Sequence, residues 1–127
     1  MSNRRQVQTN QAPAPGGTYS QGVVAAGLLF TAGLGPQDPV TGQVVGVDIG
    51  AQTEQVMANL RGLLASEGLD FGDVVKATVH LQNVARDFKG FDEVYRRHIK
   101  EPYPVRTTVG STLLGILVEI DVVAVRP

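Results

Sequence analysis

Arg106 and Glu119 are the residues on which chemistry is most readily built. The first stands in Pro104-Val105-Arg106-Thr107-Thr108 and the second in Val118-Glu119-Ile120-Asp121, each within a strand-like run. A guanidinium held on a strand beside small residues can grip a carboxylate through two parallel hydrogen bonds. The same arginine can equally form an ordinary salt bridge to Asp121. Glu119 also has two readings, as a general base or water holder in a low-dielectric pocket or as a buried partner in that salt bridge. If residues 112–115 turn a hairpin with Ser111 facing Ile116, Arg106 lies opposite Asp121 and diagonal to Glu119 on one sheet face.

The remaining titratable residues carry less. His80 shares the polar side of its strand with Lys76 and Thr78 and reads as a surface or interface histidine. His98 follows Arg96 and Arg97 near a helix end, where positive charge complements the helix dipole. With two histidines and no cysteine, no metal-ligand spacing, thiol nucleophile or Ser-His-Asp order can be assembled, so no metal site is expected. None of the glycines at 16, 17, 22, 27, 33, 35 and 46 precedes a Lys-Ser/Thr pair at a helix start, which excludes a phosphate loop. Tyr19 either packs as an anchor or lines a pocket with its hydroxyl outward.

The elements that must position these residues follow from the spacing of apolar positions. Residues 1–17 end in Pro13-Ala14-Pro15-Gly16-Gly17 and read as an extended lead-in. Val23 to Ala26 and Leu28 to Ala32 read as strands, and Asp38-Pro39-Val40-Thr41-Gly42 as a turn. Ile49, Val56, Leu60, Leu63 and Leu64 recur at helical spacing, so a helix capped by Asp48 is predicted over 49–67, closed by Gly68. Val74 to Gln82 alternates, with Val75, Ala77, Val79 and Leu81 on one face and Val74, Lys76, Thr78, His80 and Gln82 on the other. Asp87 is the expected cap of a second helix that turns Phe88, Phe91, Tyr95 and Ile99 inward and ends before Pro102 and Pro104. Strands over about 105–111 and 116–125 complete the chain.

In the last strand Ile116, Val118, Ile120, Val122 and Ala124 make a wholly apolar face suited to packing under the two helices. The opposite face carries Leu117, Glu119, Asp121, Val123 and Val125, too aliphatic to stay wet, so a covering subunit is expected. The predicted fold class is therefore α+β, a mixed sheet with two helices on one face.

Composition narrows the possibilities. At 127 residues, 43% hydrophobic and 18% charged, one domain over 1–127 is expected, large enough to fold without a staple. A formal charge of −1 and the lack of a basic aromatic stripe argue against nucleic acid. The longest apolar stretch, Val23 to Leu34, is short and broken by glycines, so a membrane span does not fit. The polar, proline-bearing start does not fit a secretory signal. Absence of cysteine suits a reducing compartment, and a cytoplasmic location is expected.

Taken together, five stretches resemble the RidA (YjgF/UK114) family of small reactive-intermediate deaminases, and the likeness covers nearly the whole chain. They are Tyr19-Ser20-Gln21-Gly22, Phe30-Thr31-Ala32-Gly33, Gly68-Leu69-Asp70-Phe71-Gly72-Asp73-Val74-Val75-Lys76, Pro104-Val105-Arg106-Thr107-Thr108-Val109 and Val118-Glu119-Ile120. The resemblance implies a chorismate-mutase-like subunit, a homotrimer with pockets between neighbouring subunits, and cofactor-free hydrolysis of enamine and imine intermediates to 2-oxo acids and ammonia. By position, Arg106 matches the arginine that holds the substrate carboxylate and Glu119 the glutamate that activates water. Tyr19 matches the tyrosine lining the pocket, and Gly33 the glycine whose backbone approaches the ligand. Thr108 falls where members carry a small Cys, Thr or Ser. The chain departs from the pattern at Thr18, where proline is usual, at Ala32, where serine is common, and at Asp92, where many members have asparagine. Its 112–115 loop is also about two residues shorter than usual. A non-catalytic trimer that binds a 2-oxo acid is the competing expectation, and RNA binding or cleavage a weaker one.

Overall fold

The computed structural model describes residues 3–126. Asp48 starts helix α1, Ile49–Ala65, its Oδ1 accepting from the Ala51 N–H at 2.8 Å and so satisfying one of the free donors of the first turn. Gly68, at φ 73°, turns the chain back beyond the helix, as a residue without Cβ can. Helix α2, Val84–His98, begins earlier than its carboxylate suggested. Asn83 is the N-cap, and Asp87 lies buried inside the helix, accepting from Arg86 Nε and Nη2, both at 2.9 Å. Phe91, Tyr95 and Ile99 point inward as predicted, whereas Phe88 remains 42% exposed.

Among the described residues six strands form one sheet: β1 (Arg5–Val7), β2 (Gly22–Ala25), β3 (Leu28–Thr31), β4 (Val74–Leu81), β5 (Val105–Gly110) and β6 (Val118–Val125). Their spatial order is β1-β2-β3-β6-β4-β5. Strands β2 and β3 form a hairpin turned on Ala26 and Gly27, at φ 54° and 74°, the left-handed pair that suits the twist of a tight hairpin. Strands β4 and β5 are parallel and α2 supplies the crossover that parallel neighbours need. The lead-in contributes β1, which pairs with β2. Buried Gln21 ties down the segment beyond β1, its Nε2 donating to the carbonyls of Thr9, Ala12 and Pro13 at 2.9, 3.1 and 2.9 Å.

The expected hairpin between β5 and β6 does not form. Strand β6 lies between β3 and β4, and the chain from Ser111 to Leu117 passes the end of β4 to reach it. Leu113 N–H donates to Gln82 Oε1 at 2.6 Å, and Gln82 N–H to the Leu117 carbonyl at 3.0 Å. The most apolar strand face thereby takes a central position: Val118, Ile120, Val122 and Ala124 are all buried with the inward faces of α1 and α2. Burying such a face is the dominant favourable term in folding.

Strand β4 also departs from simple alternation. A bulge between Val74 and Lys76 buries Val74 and leaves Val75 44% exposed, the reverse of the predicted faces there, because an extra residue shifts the pleat by one. Beyond the bulge Ala77, Val79 and Leu81 are buried as expected. Among the described residues no helix covers the sheet's other face, which carries Phe30, Thr78, His80, Thr107, Val109, Glu119, Asp121 and Val123. Among the described residues no helix is long and apolar enough to cross a membrane.

Candidate functional site

Arg106 pairs across β5 and β4 with Ala77, which pairs in turn with Val122. Both partners are buried under the helices, so Arg106 projects from the helix side of the edge strand. There its guanidinium carbon lies 4.8 Å from the Tyr95 ring centroid, 5.4 Å from Phe91 and 5.6 Å from Phe88. Its Nη1 donates to Asp92 Oδ1 at 2.7 Å, and Arg96 Nη2 donates to Asp92 Oδ2 at 3.2 Å. The bond from Arg106, followed by that from Arg96, holds the Asp92 carboxyl below the usual range. Aromatic faces attract and immobilise a cation, so the platform fixes Arg106 at one wall of a cleft of about 460 Å³ that also includes Asp92, Arg96 and Tyr103. Thr108 lies one step along the same row, opposite buried Val79.

Glu119 belongs to the other face. It pairs with His80, and His80 with Val109 on β5. After β3 the chain stays against β6 through Leu34 and Ile120, which exchange hydrogen bonds of 2.9 and 3.1 Å. This sets Gly33 directly against Glu119: a Cβ at position 33 would lie 2.7 Å from the carboxyl carbon and from Oε2, so any larger residue there would displace the carboxyl. Tyr19 stands on the rim, its hydroxyl accepting from the Gly16 N–H at 2.9 Å. Glu119, Gly33, Tyr19 and the 35–42 segment enclose a second cleft of about 430 Å³. Ala32 donates its N–H to the Gln21 carbonyl at 2.8 Å and opens beside Tyr19 and Phe30 instead.

The candidates therefore fall into two groups. Arg106, Asp92 and Thr108 share one side of the sheet, while Glu119, Gly33 and Tyr19 share the other. From strand spacing and rise, the Cα atoms of Arg106 and Glu119 in one chain are roughly 14 Å apart, with side chains on opposite faces. Two sequence expectations are thus corrected. Arg106 does not face Asp121, its carboxylate partner being Asp92, and it does not meet Glu119 within its own chain. Both errors come from the assumed β5–β6 register. Asp121 pairs with Thr78 on the open face, where burial pushes its carboxyl upward against the opposing pull of His80 and Lys76.

Several positioning residues escaped the sequence reading. Tyr95 and Phe91 were legible as core but not as the support of Arg106, since only the tertiary packing brings α2 against β5. Buried Asn59 donates from Nδ2 to the carbonyls of Gly35 and Gln37 at 2.9 and 2.8 Å. Gln52 donates to the Gly46 carbonyl at 3.1 Å and accepts from the Leu117 N–H at 2.8 Å. Together they pin the wall of the Glu119 cleft to α1. The available signal was a pair of amides among the apolar positions of that helix, because buried polar groups are kept when they are hydrogen-bonded.

Residues 9–126 match the family model described as Endoribonuclease L-PSP. The chain belongs to the YjgF/RidA family. A RutC family protein of Pyrococcus horikoshii is 40% identical over 93% of this chain and 94% of its own. The 2-iminobutanoate/2-iminopropanoate deaminase of Capra hircus is 34% identical over 97% of this chain and 90% of its own. Among solved structures, RidA from the Antarctic bacterium Psychrobacter sp. PAMC 21119 superposes with a TM-score of 0.89 at 34% identity, covering 95% of this chain and 98% of that one. The six-stranded mixed sheet with two helices is thus the RidA subunit fold, and relatives named as imine deaminases support a deaminase-like activity.

Proposed function

We propose that this RidA-family chain hydrolyses enamine and imine acids of the 2-aminoacrylate type to 2-oxo acids and ammonia, without a cofactor, at sites built between copies of a homotrimer. The observation that carries the proposal is the division of the functional residues. Arg106 lines an edge cleft whose carboxylate, Asp92, is already tied to two guanidiniums, and Glu119 lines a cleft on the far face with no guanidinium in its wall among the described residues. A second copy whose open sheet face receives the β5 edge joins a carboxylate grip to a base. A ring of three copies with head-to-tail contacts repeats that junction three times and closes.

In the joined site Arg106 binds the substrate carboxylate, and its aromatic platform keeps the guanidinium fork in register. An enamine first takes a proton from solvent at its terminal carbon and becomes the protonated imine, an iminium. Glu119 then accepts a proton from water as the oxygen attacks the imine carbon, giving a tetrahedral carbinolamine. Return of the proton from Glu119 to nitrogen lets the C–N bond break while Glu119 takes the hydroxyl proton, releasing ammonia and leaving the 2-oxo acid. Gly33, having no Cβ, leaves the room the Glu119 carboxylate itself occupies. Such imines hydrolyse slowly unaided, so positioning and one base are adequate catalysis.

Two inactive variants test this directly. Arg106→Lys loses the bidentate grip and Glu119→Gln loses the base, so each alone should reduce 2-aminoacrylate turnover by a factor on the order of 10² or more. Unfolding the two together at equal amounts and refolding should restore about a quarter of wild-type activity, since random assembly gives a site its arginine and its glutamate from two intact contributors that often. Sites contained within one chain would give no recovery. Wild type that leaves the enamine decaying at the buffer rate would instead identify a binding protein.

A further inference from the structure

We propose that Asp92 makes the Arg106 cleft select acids bearing an N–H on the carbon next to the carboxylate and reject the 2-oxo acids formed when that nitrogen leaves. The inference rests on the carboxylate-binding role proposed for Arg106 and goes beyond it to what the neighbouring atoms recognise.

Asp92 lines the cleft with Arg106, and its carboxylate oxygens are each committed to one guanidinium, Oδ1 to Arg106 at 2.7 Å and Oδ2 to Arg96 at 3.2 Å. An ionised carboxylate offers about four lone-pair directions, so these two bonds leave acceptor capacity facing the cleft. Both arginines hold the group ionised, and in that state it accepts hydrogen bonds and donates none. Arg106 is held by its three rings, and only one of its donors is directed at Asp92. A ligand carboxylate gripped by the remaining N–H groups places its C2 substituent one bond away, beside Asp92. An imine, enamine or ammonium N–H there finds an acceptor carrying full charge. A keto oxygen meets lone pairs with lone pairs. An asparagine at this position would both donate and accept, so an amide draws no such distinction. With aspartate, the cleft holds the nitrogen-bearing acid and expels the oxo acid.

Pyrrole-2-carboxylate and furan-2-carboxylate isolate this difference, being stable, planar and nearly isosteric, with N–H in one and ring oxygen in the other. Calorimetric titration of the full chain at neutral pH should give a Kd for the pyrrole acid lower by a factor on the order of ten or more, the usual scale of a charge-assisted hydrogen bond. Asp92→Asn should bring the ratio close to one, chiefly by tightening the furan acid, and Arg106→Lys should weaken both ligands together. Equal affinities in wild type, with both lost in Arg106→Lys, would overturn the role of Asp92 while leaving the carboxylate grip standing. A preference retained in Asp92→Asn would also overturn it. Failure of wild type to bind either acid would remove the Arg106 reading and this inference with it. A wild-type ratio near one overturns the role of Asp92 even where a variant fails to fold, and Asp92→Ser, which also removes the charge, replaces Asp92→Asn if that variant does not fold.

Discussion

At the scale of single residues, the chain places charges where their neighbours decide their behaviour. Arg106 and Asp121 illustrate the range. Arg106 is paired and stacked, so its charge is fully supported. Asp121 stands on the open face opposite Thr78, and burial raises its pKa against the pull of His80 and Lys76. A carboxyl whose folded pKa lies above its unfolded value binds more protons in the native state between the two values, so stability falls as pH rises through that window. Above the window the ionised group weighs against the fold by a constant amount. Asp121→Asn should therefore raise resistance to urea at neutral pH, and the gain should shrink as pH falls to the ordinary carboxylate range. Denaturant curves at both pH values check this, and a gain independent of pH would show that Asp121 acts through packing instead. Asp92 has the opposite sign: Arg106 and Arg96 depress its pKa, so the stability it contributes is present above the unfolded carboxylate range and is lost as pH falls through its folded value.

Among the elements, α1 does more than cover the sheet. Its apolar stripe was legible from spacing alone, and Val56, Leu60, Leu63 and Leu64 are buried as that stripe requires. Its two buried amides were not legible as anchors, because their partners at Gly35, Gln37, Gly46 and Leu117 come from distant parts of the chain. Asn59→Leu is nearly the same size but strands two carbonyls without a donor. It should cost about 2 to 4 kcal/mol in urea unfolding, by the usual penalty for an unmet buried acceptor. Because the released segment walls the Glu119 cleft, enamine turnover should fall more than Arg106-dependent ligand binding does. A variant with unchanged stability would show that the loop holds its place without α1.

For the whole molecule, the open sheet face is the feature that asks for a partner. Val105, Val109, Val125 and Phe30 remain 67%, 39%, 42% and 43% exposed on or beside it, and large apolar side chains grouped on one face mark an interaction surface. Light scattering at micromolar concentration should report about three times the 13.5 kDa chain mass. Val109→Glu places a charge in that contact. It should give a folded monomer without enamine turnover, since the half-sites then never meet. A wild-type monomer with full activity would remove the intersubunit site.

What the sequence by itself determined was local or periodic: the Asp48 cap, the α1 stripe, the strands β2 and β3, the apolar inner face of β6, and the residue types at 19, 33, 106, 108 and 119 that carry the family likeness. Each depends on neighbours within a few residues, or on motifs that can be matched position by position. What only the tertiary structure decided was which strand lies beside which. Side-chain alternation tells a strand its two faces but not its neighbours, and a short connection after β5 looked like a hairpin until β6 was found between β3 and β4. That single choice of neighbour sends Arg106 to the aromatic flank of α2 and Glu119 to the open face. Central placement buries the β6 side chains from Val118 to Ala124 under both helices, and this apolar burial outweighs the local ease of pairing consecutive strands.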